Sequence, residues 1–172
     1  DLWDLDPGGL GADPSPSPTA HFDVPGEVYA LAVSPQGEWL IAGSTHGMIL
    51  RRLDGPDSLP EHALDFTACG HVLNLAVDAG GEYVVSGVQG GMLCIWNLRT
   101  LSRTPHIVFH QQNGDIPYSA TFARNSLGAL LLMSGGRHGT VSLWQLSGTE
   151  VEEVDPYMNI YTPGEEVLVR SS

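Results

Sequence analysis

Short apolar runs separated by glycine-bearing turns recur along this chain at a fixed spacing. Val28-Tyr29-Ala30-Leu31-Ala32-Val33 leads to a turn with Gly37 and then to Glu38-Trp39-Leu40-Ile41-Ala42-Gly43. Val72–Val77, a turn with Gly81 and Glu82–Gly87 repeat that order, as do Ile116–Phe122, Gly128 and Ala129–Gly135. The units begin at 28, 72 and 116, a step of 44 residues each time. Each carries two glycines four apart (Gly43 and Gly47, Gly87 and Gly91, Gly135 and Gly139), and the later one opens another apolar run. Two of those runs finish on tryptophan, at Trp96-Asn97-Leu98 and Trp144-Gln145-Leu146, and Leu2-Trp3-Asp4-Leu5 carries the same ending.

Runs of five to seven residues rich in β-branched and aromatic side chains, bounded by glycine turns, predict strands rather than helices. The glycines are expected to supply positive φ for tight hairpins within one small sheet. Both faces of Val28–Val33 are apolar: Val28, Ala30 and Ala32 on one, Tyr29, Leu31 and Val33 on the other. Such a strand is expected to be buried on both sides, in a sheet sandwiched between two others. The less regular segments His62–Phe66 and Pro105–His110 would supply a fourth, outer strand.

A Gly-His pair, strands and turns, then Trp-Asp or a near variant, repeating every 40 to 50 residues or so, resembles the WD-repeat family. Gly70-His71 matches the first element, Trp3-Asp4 the last, and Trp96-Asn97 and Trp144-Gln145 are close variants. The resemblance implies an all-β fold, a β-propeller of four-stranded antiparallel blades. It also implies an acid before the later glycine of each unit, paired with the Gly-His histidine. Those positions hold His46, Gly90 and His138, and Arg52 stands where the first unit should end on tryptophan. The repeats are therefore degenerate, expected to be held more by apolar packing than by a hydrogen-bonded network.

The expected organisation is an incomplete ring, three full blades plus parts of two. Residues 1–24 end a preceding blade and carry a Pro/Ser-rich loop over 6–20; 25–69, 70–113 and 114–161 are blades; 162–172 start another, with Val167 opening its first strand. An open stack leaves apolar faces and unpaired strand edges. The expectation is that the chain is part of a longer protein or is completed by a partner, and aggregates or oligomerises when isolated.

Charge narrows the partners. Acids number 20 against seven basic residues, all arginine, and the formal net charge is −13. Residues 1–23 and 150–166 carry eleven of the acids and no base, whereas 24–149 holds nine acids and six arginines. No basic stripe suits a phosphate backbone, so direct nucleic-acid binding is not expected. No apolar run is long enough to cross a bilayer as a helix, so no membrane insertion is expected.

Candidate chemistry is sparse. Cys69 and Cys94 fit no metal or redox spacing, Cys94 reads as a small buried hydrophobe, and a reducing, intracellular setting (cytoplasm or nucleus) suits the chain. His106 and His110, four apart, would stand about 13 Å apart along a strand and cannot share an ion. The glycine-rich turns at 87–91 and 135–139 lack the lysine and the helix of a phosphate loop. No cofactor, metal or catalytic centre is expected, and the chain is read as no enzyme. The resemblance implies a protein–protein interaction scaffold or adaptor, a subunit of a larger assembly, with an accessory or regulatory propeller of a multidomain enzyme as the alternative. It places partner binding on a rim formed by Tyr29, Leu73 and Tyr118 at the inner-strand starts and Thr45, Gln89 and Arg137 in the turns between second and third strands.

Overall fold

The computed structural model describes residues 22–53, 62–64, 70–102, 104–111, 114–147 and 150–154. Among these described residues twelve strands form three antiparallel sheets, each running in sequence order from an inner to an outer strand. Blade I holds β1 (Val28–Val33), β2 (Trp39–Ser44), β3 (Gly47–Arg52) and β4 (His62–Leu64). Blade II holds β5 (Val72–Val77), β6 (Tyr83–Val88), β7 (Met92–Asn97) and β8 (Ile107–His110). Blade III holds β9 (Pro117–Arg124), β10 (Leu130–Gly136), β11 (Val141–Ser147) and β12 (Glu150–Val154). The inner strands lie side by side, β1 against β5 and β5 against β9. No strand pairing joins blade I to blade III among the described residues, so the sheets form an open stack. The loop over 6–20, Cys69 and the segment opening at Val167 lie outside the described residues.

Apolar faces hold the blades together. Ile41, Met48 and Leu50 of blade I pack with Val72, Val84, Val88, Cys94, Trp96 and Leu98 of blade II. On the opposite face of blade II, Val85, Leu93 and Ile95 pack with Leu132 and Trp144 of blade III. Alternation explains this: Val84 and Val85 are adjacent on one strand and so serve opposite interfaces. Burial on both sides is found in the middle strands, with β6 and β7 almost wholly buried. The expectation of it for Val28–Val33 fails: Val28, Tyr29, Leu31 and Val33 of β1 are exposed, because no described sheet covers that side of blade I.

A second expectation is corrected at the glycines. Gly37, Gly81 and Gly128, and Gly47, Gly91 and Gly139, do take positive φ. Gly43 and Gly87, late in their second strands, do not. A Cβ on Gly43 would run into Val72, and one on Gly87 would meet Asn74 and the Pro117 carbonyl at 2.8 Å. These glycines therefore let the next blade's inner strand approach closely.

At one end of the stack, a side-chain oxygen ties each turn between first and second strands. Ser34 Oγ accepts from the backbone N–H of Glu38 and Trp39, Asp78 Oδ1 from Glu82 and Tyr83, and Asn125 Oδ1 from Leu127 and Ala129. Two contacts cross between blades there. Gln36 Nε2 donates to the Gly80 carbonyl at 3.1 Å, and Arg124 sits 3.6 Å from the buried Asp78 carboxylate.

Candidate binding rim

The other end of the stack carries the six residues expected at the rim. In every inner strand the register slips at the same place. Val28 and Ala30 face Ser44 and Gly43; Val72 and Asn74 face Val88 and Gly87; Pro117 and Ser119 face Gly136 and Gly135. Tyr29, Leu73 and Tyr118 are thus the extra, unpaired residues of three equivalent β-bulges. A bulge bends the strand and re-aims the side chain, and it breaks the simple alternation expected for Val28–Val33. Tyr29 is 54% exposed and Tyr118 55%, while Leu73 is half-buried.

Thr45, Gln89 and Arg137 occupy the facing turns, and each backbone N–H is tied to the approach to the inner strand of its own blade. Thr45 donates to the Glu27 carbonyl at 3.0 Å, Gln89 to His71 at 2.9 Å and Arg137 to Ile116 at 2.9 Å. Each turn residue is thereby brought beside the bulge residue of its blade, and the adjacent inner strands set the three pairs in a row.

The pairs differ chemically. In blade I, Tyr29 donates its hydroxyl to Glu27 Oε2 at 2.7 Å, and that bond to a carboxylate holds the phenol above its ordinary titration range. Thr45 Oγ1 accepts from the Glu27 N–H and lies 3.0 Å from His46 Nδ1. Blade II offers Leu73 and Gln89 with the exposed His71, whose ring has no partner among the described residues.

Blade III keeps a hydrogen-bonded network beside the apolar packing expected to hold these repeats. Asp115, next to Gly114, stands where blade II has His71, and His138 stands where the family places an acid. The two roles are exchanged. Asp115 accepts from the Thr140 hydroxyl at 2.7 Å, from the backbone N–H of His138 at 3.0 Å and from that of Ile116 at 2.8 Å, and its Oδ1 lies 2.8 Å from His138 Nδ1. The Thr140 hydrogen bond, helped by those of His138 and Ile116, outweighs desolvation and lowers the carboxyl to about 2. Asp115 is therefore a carboxylate at neutral pH and can only accept, so His138 Nδ1 carries the hydrogen between them. The Asp115 side chain is 3% exposed and that of His138 is 73% exposed, so the imidazole is anchored at Nδ1 and open elsewhere.

Deeper in blade III, Trp144 Nε1 donates to Ser134 Oγ at 2.9 Å, and Ser134 donates to Gln111 Oε1 at 2.6 Å. Blade II keeps the first of these bonds, Trp96 Nε1 to Ser86 Oγ at 3.1 Å. Blade I has Ala42 in the serine position and Arg52 in the tryptophan position, so both halves of the pair are replaced together. The sequence carries one trace of the exchange, Gly114-Asp115 standing 44 residues after Gly70-His71, but not the bond between Asp115 and His138.

Among the described residues no group of three or more His, Cys, Asp or Glu side chains is placed to hold a metal, and no helix is long and apolar enough to cross a membrane.

Comparison with known proteins agrees with this architecture. The family described as "WD domain, G-beta repeat" matches residues 15–50 and 62–97. The second match runs from β4 through β7, so the sequence repeat is staggered by one strand against the blade. No curated protein sequence matches. Among solved structures, the β-propeller domain of Cps50 (Swd1) from Myceliophteria thermophila aligns with a TM-score of 0.61 at 13% identity, over 79% of this chain and 40% of that one. The RRP9 WD40 repeats align at 0.62 and 17% identity, over 80% and 41%, and U3-55K at 0.62 and 17%, over 80% and 42%. The chain thus spans well under half the length of these propellers.

Proposed function

This is a WD-repeat chain, and from that premise we propose that it works as a protein–protein interaction scaffold whose partners dock on the rim formed by Tyr29, Leu73, Tyr118, Thr45, Gln89 and Arg137. The observation that carries the reading is the repeated bulge. Three equivalent strand slips bring one side chain per blade to the same end of the stack, beside a turn residue tied there by a backbone hydrogen bond. Two of the three are exposed tyrosines, and tyrosine and arginine are enriched among the residues that dominate binding energy. Function on this fold lives in the side chains mounted on it, and a scaffold role needs no catalytic centre.

Affinity capture with the tagged full chain tests the reading. Quantitative mass spectrometry would compare wild type with Tyr118→Ala and Arg137→Ala. Both changes are at exposed positions, so the fold should survive and specific partners should be depleted. An unchanged partner set in both variants refutes the rim as the docking surface.

A further inference from the structure

The arginines of this acidic chain are not equally engaged. Arg51 lies over the Phe22 ring at 4.8 Å and Arg52 over Trp39 at 5.9 Å. Arg99 pairs with Glu82 at 3.5 Å, and Arg124 with Asp78 at 3.6 Å. Of the arginines described, Arg137 alone has a side chain with no ion pair, ring contact or hydrogen bond among the described residues. It is exposed in the turn that also carries His138, across the bulge from the exposed Tyr118 hydroxyl, which likewise has no partner among the described residues.

From this juxtaposition we infer that the Arg137–His138–Tyr118 corner of blade III is a docking point for an acidic peptide segment of a protein partner. The inference rests on the scaffold reading above and adds the chemistry of what binds. Arg137 offers a guanidinium fork that fits a carboxylate in two-point fashion. Tyr118 adds a hydroxyl donor. His138, held at Nδ1 by Asp115, presents Nε2 outward as an acceptor in its neutral form, suited to a main-chain N–H next to the bound carboxylate. Asp115 is a positioning residue: it is buried, and it sets which imidazole nitrogen faces solvent. An unpaired cation beside an aromatic donor and an oriented acceptor matches an acidic strand of peptide, and a basic peptide would meet the same guanidinium as repulsion.

Titration of isotope-labelled full chain, followed by NMR, tests this with four probes: short repeat peptides of Gly-Glu, Gly-Gln and Gly-Lys, and an oligouridine. The Gly-Glu peptide should shift resonances of Tyr118, Arg137 and His138, with apparent affinity falling about tenfold in Arg137→Gln and less in Arg137→Lys. Arg99→Gln, at a pair in a different turn, should change nothing. Asp115→Asn should leave Arg137 shifts in place while abolishing those of the His138 ring. Equal response to Gly-Gln or Gly-Lys, tighter binding of oligouridine at the same residues, or indifference to Arg137→Gln each overturns the inference. Captured partners lost in the rim variants but cross-linked to this corner through non-acidic segments would overturn it too, leaving the scaffold reading intact.

Discussion

The stacking of blade III on blade II makes a quantitative demand on two adjacent residues, Leu132 and Met133. Leu132 is fully buried and packs beside Trp144 of its own blade against Val85, Leu93 and Ile95 across the interface, while Met133 points to the other face of its sheet and is 39% exposed. Leu132→Ala removes three carbons from that core, about 2.4 kcal/mol at roughly 0.8 kcal/mol per buried methylene. The cavity left between two rigid sheets adds to this, for a total of about 3–5 kcal/mol. Met133→Ala removes partly solvated atoms and should cost about 1 kcal/mol or less. Urea unfolding by tryptophan fluorescence reads both, with Trp144 inside the affected core. The Leu132→Ala midpoint should fall well below that of Met133→Ala, and its melting temperature should drop by roughly 10 °C for a domain of this size. Equal costs for the two, or a Leu132→Ala penalty under about 1 kcal/mol, would mean that these blades do not stack face to face.

Ser134→Ala leaves Trp144 Nε1 and Gln111 Oε1 without their shared buried partner and should destabilise by about 1–3 kcal/mol in the same urea assay. Gly87→Ala places a methyl against Asn74 and the Pro117 carbonyl, and should cost about 1–3 kcal/mol, whereas Gly135→Ala, whose Cβ would meet only Ser119 at 3.9 Å, should be milder. Asp115 titrates near 2 when folded against 3.8 for the free carboxyl, so its contribution is fully present above about pH 4 and is lost as pH falls toward 2. Over that window the urea midpoint of wild type should drop more than that of Asp115→Asn; parallel pH profiles would remove the Asp115 hydrogen bonds from the account.

Much of this molecule is written in local sequence. Short apolar runs bounded by glycine turns and recurring at a step of 44 residues specify strands and, with the less regular segments between them, their grouping in fours. The rim residues Tyr29, Leu73 and Tyr118 come from the family resemblance rather than from spacing, since a step of 44 from Leu73 lands on Pro117, one residue short of Tyr118.

What the tertiary structure alone decided are relations between strands that no single run encodes. The bulges at Tyr29, Leu73 and Tyr118 arise from pairing between first and second strands and are silent in either strand's own pattern. Gly43 and Gly87 read as turn glycines in sequence, yet their reason is the neighbouring blade's inner strand, which is absent from any local window. The exchanged Asp115 and His138 lie 23 residues apart and became a pair only when β9 and β10 brought their ends together. Strand propensity and periodicity act over a few residues, whereas close approach and hydrogen bonding between distant residues depend on how whole sheets pack.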